Sequence, residues 1–156
     1  MYLVRGAGGV ARYDRFRKEE ETLSYILDQE QLDGLEEALT TDLMTLGIQS
    51  VILIDMAGNV IVNLDNGKVR HDVYSLAALA AGNFGAVNAM ASIIGEEEFS
   101  LLFHKGKSEN INFTKILDDF LLVSIFGNDV SLGYLRLKID DVIKKIKVLI
   151  DPKRSK

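Results

Sequence analysis

Leu32, Leu35, Leu39, Leu43 and Leu46 recur at steps of three and four. That spacing predicts one apolar stripe on an amphipathic helix, and Gly47 is a residue suited to end it. The pattern then changes. Residues 51–54 are an unbroken run of Val, Ile, Leu and Ile, and residues 60–62 are Val, Ile and Val, with Asp55, Gly58 and Asn59 between them. Two short β-favouring runs around turn residues predict a hairpin, and Asn66-Gly67 marks the loop beyond it. Asp72 has the chemistry of an N-cap for a long helix that reaches Ile94 and stops at Gly95. Three further apolar runs, 101–103, 111–113 and 120–126, predict strands, with Gly106 and Asp118-Asp119 in the turns. A last helix starts near Ser131 and carries Leu135, Ile139, Val142, Ile146 and Leu149 at helical spacing.

The resulting order is αββαβββα, an α+β domain over residues 28–150. Residues 51–54 and 120–126 are apolar at consecutive positions, which predicts strands covered on both faces. One five-stranded antiparallel sheet satisfies this, with the long second helix on one face and the first and last helices on the other. Residues 1–27 carry Arg5, Arg12, Arg15, Arg17 and Lys18 followed by Glu19, Glu20 and Glu21, without a strong apolar period. They read as an extension, flexible or loosely helical, outside the core. Residues 151–156 read as a polar tail behind the single proline.

Of 156 residues, 47% are hydrophobic and 26% charged, enough apolar content for a core. No cysteine is present, which excludes disulfides, thiolate metal sites and a thiol nucleophile. The net charge of −5 gives no footprint for nucleic acid. No stretch reads as the ~20 apolar residues of a membrane span, nor the start as a secretory signal, so the expected location is cytoplasmic. No cofactor or metal is implied, and only His71 and His104 supply imidazole.

Several motifs match catalytic patterns superficially. Residues 6–11, GAGGVA, fit a dinucleotide fingerprint, but the charged segment behind them is not a buried crossover helix. Asp55 and Gly58 fit the DxxG pattern of GTPases, but no phosphate-cradling loop accompanies them; a hairpin turn explains them. Glu96–Glu98 and Asp118-Asp119 lack metal-ligand spacing. His104 among apolar strand residues reads as a packed or edge histidine. An i,i+4 ion pair with Asp140 is the expected use of Arg136.

The second helix is different in kind. Leu76, Leu79, Val87, Met90 and Ile94 form a stripe of large residues, interrupted at Asn83, and this stripe is expected to face the core. About half a turn away lie Ala78, Gly82, Gly85, Ala89 and Ser92. Between Asp72 and Glu96 there is no charged residue, although a surface helix normally carries charge opposite its core stripe. Small residues there leave a flat apolar platform that another backbone can approach. Ala78, Ala81, Gly82, Asn83, Gly85, Ala86 and Ala89 are therefore the candidate partner-binding residues, with no catalytic residue assigned.

The runs YSLAALAAGN (74–83), IGEEEF (94–99), FHKG (103–106) and SLGYLRLK (131–138) resemble the roadblock family, in particular its MglB-like members, over residues 28–150. The resemblance implies the αββαβββα fold and a homodimer that pairs an edge strand and the long helix into one shared sheet. It further implies a small Ras-like GTPase of the MglA type docking across the paired helices, with GTP hydrolysis stimulated, in a setting of bacterial motility or polarity. From His71 to His104 there is no lysine or arginine, so the long helix carries no arginine finger; remodelling of the partner is the expected mechanism. Two alternatives stand beside it: a dimerisation or recruitment scaffold without effect on hydrolysis, and an enzyme with an unrecognised pocket.

Overall fold

The computed structural model describes residues 11–15 and 23–150. Strands β1 (Ala11–Arg15) and β2 (Leu23–Leu27) pair antiparallel as a two-stranded ribbon, Ala11 opposite Leu27. This corrects the loosely helical reading of the extension. The run LSYIL carries the β-favouring residues for it, and Leu27 at its end is buried in the main core. The fingerprint-like stretch before Ala11 and the tail beyond Ile150 lie outside the described residues.

Helix α1 (Gln29–Asp42) begins at a capping box. The Asp28 carboxylate accepts from the Gln31 amide at 2.8 Å, and the Gln31 side chain accepts from the Asp28 amide at 2.9 Å. Two amide donors that a helix start leaves open are thereby satisfied. A short 3-10 turn, Met44–Leu46, carries the chain to Gly47, whose φ of 83° is left-handed. Strands β3 (Ser50–Asp55) and β4 (Val60–Asp65) form the expected hairpin. Helix α2 (Val73–Ile93), strands β5 (Leu102–Lys105), β6 (Glu109–Ile116) and β7 (Phe120–Gly127), and helix α3 (Leu132–Ile150) follow.

The five-stranded sheet has the order β4-β3-β7-β6-β5, every pair antiparallel. Buried residues of α1, α3, β3 and β7 form the larger core on one face. The other face of the sheet packs against α2. All six residues of β3 and seven of the eight in β7 are buried, as unbroken apolar runs between two helical layers require. The shortest strand, β5, is an edge.

The DxxG-like stretch is a turn. Asp55 is fully buried and its Oδ1 accepts from the amides of Ala57 and Asn59, its Oδ2 from the Asn59 side chain. Gly58, at φ 90°, brings the turn against α2: a Cβ there would stand 2.9 Å from the Ala78 Cα. The expectation of no membrane-spanning stretch needs correcting, because α2 is long and apolar enough to cross a membrane by length and composition. In this fold it is a layer, seated on the sheet through one face.

Candidate functional site

Helix α2 carries the candidate platform, and its phase is the first finding. The residues buried against the sheet are Ala77, Ala80, Phe84 and Ala91, in one core layer with Ile52, Ile54, Val60, Phe113, Leu121 and Val123. The large-residue stripe expected in the core is not the core stripe. Leu79 is 71% exposed, Met90 54% and Ile94 66%, while Leu76 and Val87 are half-buried. The reason is spacing between layers: alanines let α2 sit close to the sheet, and Phe84 is the one large side chain of α2 buried there, with Val73 and Leu76 packed partly buried against the same layer. The 3–4–7 steps of residues 77, 80, 84 and 91 were present in the sequence, but side-chain size argued for the other stripe.

Of the seven candidate contact residues, Ala78, Gly82, Gly85, Ala86 and Ala89 lie outside the core, and Ala81 and Asn83 are at most half-buried. At 100° per residue, Leu79, Gly82, Ala86, Ala89 and Ile93 lie on the side turned away from the sheet. Ile93 there is 83% exposed. A Cβ placed on Gly82 or Gly85 would meet nothing within 4 Å. Nothing among the described residues requires glycine at either position, although each costs a helix about 0.8–1 kcal/mol relative to alanine. The helix start is secured independently: the Asp72 carboxylate accepts from the amides of Tyr74 and Ser75 and from the Ser75 hydroxyl. The Ser75 hydroxyl and amide hold its carboxyl below the usual carboxylate range.

The platform runs toward an open sheet edge. Ala77 and Ala78 stand at the β3–β4 turn, while Phe84 shares a cavity of about 180 Å³ with Leu102 of β5 and Phe113 of β6. Helix α2 thus crosses the sheet toward β5, and Met90 and Ile94 at its end and Phe99 and Leu101 in the segment leading into that strand expose apolar side chains. His104 on β5 is exposed and packs edge-on to Phe113, ring centroids 5.6 Å apart, the edge histidine expected.

Charged groups collect at the rim of this cavity. Lys115 bridges to Glu98 and lies 3.7 Å from Asp118, and the Glu98 carboxylate holds its ammonium above the usual lysine range. Arg136 and Asp140 also line the cavity, but the i,i+4 ion pair expected between them is not formed. Arg136 belongs to α3, whose core stripe packs on the opposite face of the sheet. Among the described residues no group of three or more His, Asp and Glu side chains is gathered to hold a metal ion.

Residues 36–126 match the Roadblock/LC7 domain family. MglB of Myxococcus xanthus is 30% identical, with 78% of this chain and 92% of that chain covered at a TM-score of 0.71. The gliding protein MglB of Thermus thermophilus is 24% identical over 81% and 96% of the two chains, at a TM-score of 0.73. A third structure, of an MglB with tetrameric arrangement, is 23% identical over 81% and 95%, at 0.74. The family match spans more than half of the chain and contains the β3–β4 hairpin, all of α2, and strands β5 and β6. The chain belongs to the Roadblock/LC7 domain family.

Proposed function

We propose that this chain is a homodimeric regulator that binds a small Ras-like GTPase and stimulates its GTP hydrolysis. The observation that carries the reading is the outward face of α2: exposed, apolar, free of charge and lined by two glycines that no contact among the described residues explains. A face of that kind left in water is a docking surface. Membership in the Roadblock/LC7 family and likeness to MglB support a GTPase as the occupant.

Dimerisation is the companion proposal. Strand β5 leaves a row of backbone donors and acceptors unpaired at the sheet edge, and Met90 and Ile94 at the end of α2 and Phe99 and Leu101 in the segment leading into β5 are exposed. A second copy pairing through β5 covers both at once and doubles the platform. The mechanism we assign is remodelling. Helix α2 has no cation to offer, so the regulator acts by binding preferentially the GTPase conformation whose own catalytic groups are aligned.

The test has two measurements. Light scattering at micromolar concentration is expected to give the mass of a dimer; a monomer mass refutes the assembly. GTP turnover by the MglA-type GTPase of the same genome is expected to rise when the chain is added. Complex formation with unchanged turnover would establish a recruitment scaffold instead, and no complex with any nucleotide state would refute the platform.

A further inference from the structure

The loop that enters α2 carries three basic side chains with no acidic partner among the described residues. Lys68, Arg70 and His71 line one concavity of about 440 Å³ with Gln49, Asn66 and Glu109. None of the three forms an ion pair with a described residue. Glu109 stands on the rim without bridging to them, and Asp72, next in the chain, has its carboxylate engaged by Tyr74 and Ser75. The loop is held in shape. The Asn66 amide donates to the Gln49 carbonyl at 2.9 Å, and the Lys68 amide donates to Asn66 Oδ1 at 2.9 Å. Gly67 turns the chain at φ 81°.

The cations of this loop, Lys68 and Arg70, stand out against the rest of the molecule. The chain as a whole carries −5, and the α2 face has no charge with which to attract or orient anything. Beyond the far end of α2 the next charges along the chain are Glu96, Glu97 and Glu98, the last bridged to Lys115. A partner that approaches the platform therefore meets an uncharged surface with cations at its amino end and carboxylates at its carboxyl end.

We infer that Lys68, Arg70 and His71 receive an acidic surface of the same partner protein that docks on α2, and so set the rate and orientation of its approach. The inference rests on the platform reading above. Two cations, Lys68 and Arg70, with no acidic partner among the described residues, lie within five residues of the start of the apolar helix, and charges at such a rim govern encounter while a desolvated centre governs residence. The loop takes no part in hydrolysis. It lies at the start of the helix, outside the charge-free span, and its contribution is to the encounter alone.

The experiment is stopped-flow association of the full-length chain with the GTPase loaded with a non-hydrolysable GTP analogue, across ionic strength. Reversal of charge by Lys68→Glu with Arg70→Glu is expected to lower the association rate at least about tenfold at ~0.05 M salt. At ~0.5 M salt, where screening removes the field, the difference should shrink below about twofold. Lys144→Glu with Lys147→Glu changes net charge equally on α3 and is expected to leave the rate within about twofold. Circular dichroism confirms that each variant is folded, and Lys68→Gln with Arg70→Gln serves in place of a reversal that is not. Equal rates and equal salt dependence for wild type and the loop variant, with binding intact, overturn the inference and leave the platform standing. An equal loss from the α3 pair overturns it as well, since net charge alone would then explain the effect. A wild-type chain that captures no GTPase removes the platform, and this inference with it.

Discussion

Replacing Gly82 and Gly85 with alanine separates what these residues do for the fold from what they do for a partner. Both lie inside α2 with open space where a Cβ would go, so the new methyl groups strain nothing around them. Alanine lowers the entropy of the unfolded chain and removes a helix penalty of about 0.8–1 kcal/mol per position. The pair together stabilises by roughly 2 kcal/mol, which for a domain of this size raises Tm by about 4–8 °C. The same change at Gly58 must go the other way. A Cβ there would stand 2.9 Å from the Ala78 backbone, at a φ of 90°; the expected loss exceeds about 1 kcal/mol. Chemical denaturation at two protein concentrations tenfold apart is the assay. A concentration-independent loss of stability for the Gly82/Gly85 variant would show that these positions pack inside the fold, and would refute the outward phase of α2. A loss that grows on dilution would instead place them in contact with a second copy. With phase and platform both right, the variant is more stable and binds its partner more weakly, because backbone approach has been blocked.

Gly85→Arg or Ala89→Arg is expected to abolish GTPase capture in a pull-down while the far-ultraviolet spectrum stays unchanged, since a long charged side chain on a close-contact face leaves a desolvated charge. Phe84→Ala removes the side chain that fills the depth between α2 and the sheet and is expected to cost about 3–5 kcal/mol in urea denaturation. Any stimulation of hydrolysis is expected to survive replacement of Lys68, Arg70, Lys105 and Arg136 one at a time in single-turnover assays at saturating regulator, whereas loss of a true finger would cost about 10³–10⁵ in rate. The Asp72 carboxyl, held low by Ser75 and Tyr74, contributes stability that is present above the ordinary carboxylate range and is lost as pH falls through its lower folded value. Asp72→Asn is therefore expected to flatten stability against pH as the pH falls through and below the ordinary carboxylate range.

The order of helices and strands was legible in the sequence because each element carries its own period and its own stop. The leucine steps ending at Gly47, the turn residues between 54 and 60, and Asp72 with Gly95 around α2 are local signals. Local hydrogen bonding satisfies them: the Asp55 turn and the Asp72 cap are built from residues within four positions of each other. The absence of charge in α2 was equally legible. What the tertiary structure decided was which side of that helix meets the sheet. The period of a helix gives spacing but not depth, and depth is set by how near the sheet can come. Here the Gly58 turn and the alanines at 77, 80 and 91 bring the layers close, so Phe84 fills the core and Leu79, Met90 and Ile94 are turned outward. The ribbon before α1 was beyond reach for a related reason: residues 11–15 and 23–27 become strands by pairing with each other, and the extension has no strong apolar period to predict it. The charge pattern at the ends of α2 also belonged to the fold, because only the packed chain shows that Lys68, Arg70 and His71 share one concavity and that Arg136 forms no ion pair with Asp140.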